Sequence, residues 1–249
     1  MPSTRTANRP SKLLDGAVGV TTPRSVNEIF EVLRDAVVSQ RLSPGVQLKE
    51  QPLASAFGVN RAAIRQVLAK LANCKLAVHR LNRGVFVASP SREEAVSIFH
   101  ARRVVETAII ELAVERMDAH GLRELRTIIA QEQAGYLSGK LREASKLSVQ
   151  FHRALAQKAG NSVLEQFLEE IVARTPLVVL SFNVTDNLGC EGGDHAKIVD
   201  AIEARDAALA VRLLHEHLGH LENKLAFDEH LQPDELERAI FHSLGSAND

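Results

Sequence analysis

Two arginines one helical turn apart, Arg61 and Arg65, carry the most legible chemistry in this chain. They belong to the stretch Phe57-Gly-Val-Asn-Arg-Ala-Ala-Ile-Arg-Gln-Val-Leu-Ala-Lys-Leu71. There Ile64, Val67, Leu68 and Leu71 recur at helical spacing and make one apolar face. The arginines lie away from that face, beside the small Ala62 and Ala63. Guanidinium forks with little bulk around them suit the base edges of a DNA major groove. The same pattern also describes a surface helix with two solvated arginines, and the stretch alone does not separate the two. The second chemistry is that of imidazole. The chain has 10 histidines, of which only His79 lies in the first third. Three arriving from three separate helices could converge in a bundle core, where metal and ligand sites are built. Periodicity does not choose which three.

The elements around the arginines sharpen their reading. Gly58 takes a left-handed turn without steric cost, and Asn60 is a good helix N-cap. Upstream, Val26, Ile29, Phe30, Leu33, Val37 and Val38 describe an amphipathic helix starting at Ser25. Ser43-Pro44-Gly45 stops it near Leu42. A short helix follows over Glu50–Phe57, with Pro52 tolerated in its first turn. After Leu71, β-prone runs over Ala77–Arg80 and Val85–Val87 flank Leu81-Asn82-Arg83-Gly84 and predict a hairpin. Three helices and a hairpin make a winged helix-turn-helix, with Arg80 and Arg83 placed for minor-groove or phosphate contacts. Charge agrees: residues 1–90 carry a balance of +8 and residues 91–249 a balance of −9, hidden within a net charge of −1. A basic module joined to an acidic one points to nucleic acid as partner of the first. Residues 1–22 read as a disordered arm whose Arg5, Arg9 and Lys12 add weak, non-specific attraction to DNA.

Pro90-Ser-Arg-Glu-Glu opens a second domain. Helical periodicity runs over roughly 92–118, 121–138, 141–159, 162–184, 192–205 and 206–228, punctuated by Gly121, Gly139, Gly160, Gly189 and Gly192-Gly193. Short connections favour an antiparallel bundle. The expected fold is therefore mainly α: a winged helix-turn-helix over 23–90, a helical domain over 91–232, and a tail over 233–249. No apolar run is long enough for a membrane span and no export signal stands at the start. The two cysteines, Cys74 and Cys190, form no disulfide framework and fit a reducing cytoplasm. Cys74 reads as a small core residue.

Residues 25–88 resemble the DNA-binding domain of the GntR family of bacterial transcription regulators. The resemblance rests on Leu42-Ser-Pro-Gly45, Leu48-Lys-Glu50, Leu53-Ala54, Phe57-Gly-Val-Asn-Arg61, Ile64-Arg65, Leu68, Leu71 and Arg83-Gly-Val-Phe-Val87. It implies that Arg61 and Arg65 contact bases or adjacent phosphates, and that Asn82, Arg83 and Gly84 reach the neighbouring groove. Three positions depart from the family's pattern. Gln51 replaces an arginine, Ala62 and Ala63 replace hydroxyl-bearing residues, and Lys75 replaces a glycine. The operator of relatives therefore does not transfer.

Residues 95–218 resemble the FCD ligand-binding domain of the FadR-type subgroup, in its shorter six-helix branch. Arg102-Arg-Val-Val-Glu106, Phe151-His-Arg-Ala-Leu155, Gly160-Asn161, His195 through Ile202 and Asp206 through Leu218 carry this likeness. It implies a divalent metal, commonly zinc, with nickel an alternative, on His152, His195 and His217. The family's aspartate ligand is Ser148 here, a weak neutral donor, so the expected site is weaker or binds an anionic effector directly. Arg102 matches an arginine that lies near the effector in relatives and suits a carboxylate, although an ion pair with Glu106 explains it equally. The expectation is a cytoplasmic homodimeric regulator, a repressor as most relatives are, that binds operator DNA and a small organic acid. Two rivals remain: a three-histidine metal-dependent hydrolase, and a winged-helix module that binds protein. Against the hydrolase stand the missing HExxH pair and an unexplained basic module.

Overall fold

The computed structural model describes residues 25–182 and 193–225. The expected arm, the C-terminal tail, Cys190, Gly189, Gly192, His230 and His242 lie outside them. In the first module α1 (Val26–Val38), α2 (Glu50–Phe57) and α3 (Arg61–Asn73) precede β1 (Ala77–Arg80) and β2 (Gly84–Val87). Ser25 and Glu28 form a reciprocal capping box at α1, and Asn60 accepts from the Ala63 N–H at α3. Gly58 ends α2 at φ 65°, in the left-handed region. The buried Ile64, Val67, Leu68 and Leu71 face α1 and α2. In the hairpin, Ala77 pairs with Val87 and Arg80 with Gly84. Residues 45–48 add a third, short edge: Leu48 N–H donates to Val85 C=O at 2.8 Å, and Val87 N–H to Val46 C=O at 2.8 Å. Three alternating residues, Val46-Gln47-Leu48, are too few to signal a strand by pattern.

The second module contains α4 (Arg92–Arg116), α5 (Ala119–Leu137), α6 (Leu141–Ala159), α7 (Ser162–Val172), α8 (Thr175–Phe182), α9 (Asp194–Glu203) and α10 (Ala207–Asn223). The central α4 packs against α6, α7, α8, α9 and α10, while α5 lies on α6 and α9. Gly135 makes the α5–α6 approach close, since an added Cβ would stand 3.1 Å from that of Ala144. The expected single helix over 162–184 is two, broken at Ala173-Arg174. Pro176 has no N–H to donate to the preceding turn, so α7 cannot run through it, but it is accommodated in the first turn of α8. Buried side chains from Ile29 to Leu225 form one connected apolar cluster through both modules.

The modules meet at α1 and α8, and polar contacts reinforce the seam. Glu169 of α7 receives Arg34 of α1 at 2.9 Å and Arg153 of α6 at 2.6 Å. Lys146 of α6 pairs with Asp35 of α1.

Helix α1 ends four residues before Leu42 because Gln40 turns left-handed at φ 58°, and the Leu42 N–H folds back to Ala36 C=O. Lys75 does the same after α3, at φ 59°. It thus keeps the conformation that glycine adopts without strain. Lys75→Gly should raise stability by roughly 0.5–1 kcal/mol, the relieved strain less the added freedom of the unfolded chain. Thermal melting checks this; a lower melting temperature would mean that the lysine side chain compensates.

Candidate metal centre and nucleic-acid interface

Charged residues occupy positions on buried helix faces where the periodicity calls for apolar ones. On α4 these are Arg102 and Glu106, one turn apart; on α5, Glu132; at the start of α9, Asp194. Each of the three carboxylates faces a histidine. His152 comes from α6, His195 from α9 and His217 from α10, and all three are at most 2% exposed. Their ligand atoms lie within 4.8 Å of one another, and His195 Nε2 is 3.3 Å from both His152 Nε2 and His217 Nε2. His152 Nδ1 stands 2.6 Å from Glu106 Oε2, and His195 Nδ1 stands 2.7 Å from Glu132 Oε2. His217 Nδ1 faces Asp194 Oδ2 at 3.7 Å, and His220 Nδ1 approaches the same oxygen at 3.0 Å. Phe151 stacks on the His195 ring at 4.2 Å between centroids and fixes its plane.

This arrangement dictates the tautomers. An ionised carboxylate only accepts, so His152 and His195 carry their protons on Nδ1 and present bare Nε2 lone pairs to each other. Burial pushes His152 down to about 4, against the pull of Glu106, and pushes His217 well below its ordinary value. His152 and His217 are therefore neutral, as metal ligands must be. Two lone pairs 3.3 Å apart repel unless a cation lies between them. Tetrahedral zinc with bonds of about 2.0–2.1 Å sets neighbouring nitrogens roughly 3.3–3.4 Å apart. The residues fit such an ion. Three buried carboxylates against one buried guanidinium also leave an excess of negative charge for a divalent cation to balance.

Beside the histidines lies a cavity of about 30 Å³, lined by Arg102, Ser148, His152, Tyr136, Ser145 and Thr175 among others. Arg102 Nε donates to Glu106 Oε1 at 2.6 Å and Nη1 to Thr175 Oγ1 at 3.4 Å; Nη2 is buried with no hydrogen-bond partner. Arg102 is thus ion-paired with Glu106 and also lines the cavity. Arg102 and His152 outweigh the burial that would raise Glu106, and hold its carboxyl well below the usual range.

At the other module, Arg61 and Arg65 are more than half exposed and share one carboxylate, Glu50. Ala62 and Gln51 are exposed and Ala63 half-buried. The wing carries the rest: Asn82 and Gly84 shape its tip at φ 56° and 95°, and Gln47 Nε2 donates to Arg83 C=O at 2.7 Å. Arg80 lies over the Phe86 ring at 4.8 Å, so part of its charge is spent on a cation–π contact.

Residues 25–87 match "Bacterial regulatory proteins, gntR family", and residues 97–220 match "FCD domain". The chain belongs to the gntR family. A putative GntR transcriptional regulator from Rhodococcus sp. RHA1 superposes with a TM-score of 0.71 at 25% identity, over 80% of this chain and 95% of that one. The repressor RspR of Escherichia coli is 24% identical over 77% of this chain and 84% of its own length. The gluconate operon repressor of Bacillus subtilis is 25% identical over 78% and 82%. This gntR protein is thus a DNA-binding transcription regulator with a helical FCD domain, and the hydrolase reading of its histidines falls away. In that FCD domain the expected six helices number seven among the described residues, through the break before Pro176.

Glu106, Glu132 and Asp194 are not among the expected site residues. Their signal was charge recurring on a core-facing stripe, between Leu125, Ile128, Ile129 and Gly135 in the case of Glu132. Arg102→Met should cost about 3–5 kcal/mol, because it strands the buried Glu106 charge. Arg126→Met, which breaks a half-exposed pairing with Asp200 and Glu203, should cost under ~1 kcal/mol. Thermal melts of the two variants compare them directly; equal losses would contradict the buried-pair argument.

Proposed function

We propose that this regulator is a cytoplasmic homodimer that represses by binding a pseudo-palindromic operator and responds to a small carboxylate metabolite. No described helix is long and apolar enough to cross a membrane. In this reading Arg61 and Arg65, with Ala62, Ala63 and Gln51 around them, read half-sites in successive major grooves. Arg80, Asn82, Arg83 and Gly84 contact the adjacent groove or its phosphates. The exposed arginine pair at the tip of α3 is what supports it. Arg61→Ala combined with Arg65→Ala should abolish operator binding with little change in melting temperature. Wild-type binding should also weaken steeply with salt. Unchanged affinity in the double variant would refute the assignment, and salt-independent association would favour the protein-binding module.

The helical domain would hold a divalent metal, zinc or nickel, on His152, His195 and His217. The facing lone pairs at 3.3 Å carry this reading. When bound, the ion supplies a Lewis-acidic centre that can take a carboxylate oxygen. Ser148 and Arg102 would complete the effector's surroundings, with Arg102 Nη2 supplying the free donor. A cavity of about 30 Å³ holds one water, so an organic acid must part the walls around it. Helix α6 lines that cavity and also reaches α1 through Lys146 and, by way of Arg153 and Glu169, Arg34. An effector that binds one spacing of these helices more tightly would shift the placement of α1, whereas equal affinity for both would change nothing.

Elemental analysis of untagged protein should find about one divalent ion per chain. Glu132→Gln, which leaves all three ligands in place, should weaken metal binding roughly 10- to 100-fold. A metal-free protein whose DNA binding still responds fully to organic acids would sink the metal and leave the anion-binding alternative.

A further inference from the structure

Among the described residues, Glu50 is the one acidic group placed on Arg61 and Arg65. Its Oε2 accepts from Arg61 Nε at 3.2 Å, Arg61 Nη2 at 3.1 Å and Arg65 Nε at 3.0 Å, and its Oε1 accepts from Arg65 Nε at 3.1 Å. The carboxylate grips Arg65 by its inner edge and leaves both terminal amino groups of that fork unengaged by it. Arg61 keeps Nη1. The Arg65 hydrogen bond foremost holds Glu50 below its ordinary range. Glu50 also opens α2, where no side chain caps the helix, so its carboxylate complements the helix dipole as well.

We propose that Glu50 is a specificity-determining residue: it orients the two arginines toward base edges and cancels one of their charges against indiscriminate phosphate binding. This rests on Arg61 and Arg65 being the base-reading pair. Untethered arginines sample phosphates as readily as bases, and phosphate contacts carry no sequence information. A guanidinium held by its Nε edge presents its outer amino groups in a fixed plane, the condition for bidentate contact with a base. The carboxylate makes two opposite demands on binding. It lowers affinity for arbitrary DNA by removing positive charge, and raises discrimination by pre-orienting the forks.

The test uses the full-length protein, a duplex it selects from a random pool, and a scrambled duplex of the same composition. For Glu50→Gln, binding to the scrambled duplex should tighten. The slope of log K against log salt should steepen by about 1 per recognition helix. The preference for the selected duplex should fall roughly tenfold or more. Glu50→Asp should recover the wild-type salt slope. Unchanged slope and preference overturn the proposal, and so does a parallel loss of affinity for both duplexes, the signature of a merely structural role. Arg61→Ala and Arg65→Ala run alongside: if they leave the selected duplex bound as before, the base-reading assignment itself has failed, a result distinct from failure of Glu50.

Discussion

Imidazole lone pairs aimed at one another inside a protein are a constraint that the surrounding fold must resolve. His152 and His195 are locked into that orientation by Glu106 and Glu132, which hold the outward nitrogens at 2.6 and 2.7 Å. The carboxylates are buried, so each needs compensation of its own: Glu106 draws in Arg102, and Arg102 draws in Thr175 at the start of α8. From the histidine cluster the network thus spreads to α4, α5, α6, α8, α9 and α10. Breaking one member exposes an uncompensated charge in low dielectric, which costs more than any surface pair in the molecule.

The same helix that contributes His152 joins the two modules. Ser148 and His152 sit on one face of α6 toward the cavity, while Lys146 and Arg153 reach α1 and Glu169. A helix is stiff along its axis, so a displacement at the cavity is not absorbed before it reaches the seam. Beside the apolar packing of α1 on α8, the seam's polar contacts are half-exposed ion pairs, each worth ~1 kcal/mol or less. Contacts of that size can be exchanged for others without unfolding either module, unlike the network around Glu106.

Much of this was legible in the chain's pattern, and the gaps have definite causes. Helix and strand positions in the first module follow from apolar spacing and caps such as Ser25 and Asn60. Choosing His152, His195 and His217 among ten histidines needed family resemblance, because convergence is a tertiary property that periodicity does not encode. Glycine marked most of the expected turns, yet Gln40, Lys75 and Arg205 also adopt left-handed backbone. Arg205 shows how: its guanidinium reaches back to Val114 C=O and Met117 C=O at the end of α4, so side-chain bonds offset backbone strain. The third edge of the wing, over residues 45–48, is too short for its Val46-Gln47-Leu48 alternation to signal a strand, and backbone groups that every residue possesses hold it.

Arginine–glutamate pairs serve this protein at two depths, and the difference in dielectric separates their roles. Between Arg102 and Glu106, each at most 2% exposed at the side chain, attraction is weakly screened and the unpaired state is costly, so the pair is a fixed structural element. Between Glu50 and the arginines of α3, with side chains 57% and 61% exposed, water screens the attraction and the pairing is readily traded. In the proposed recognition surface, Glu50 holds the inner edges while both Arg65 amino groups and Arg61 Nη1 stay open to DNA.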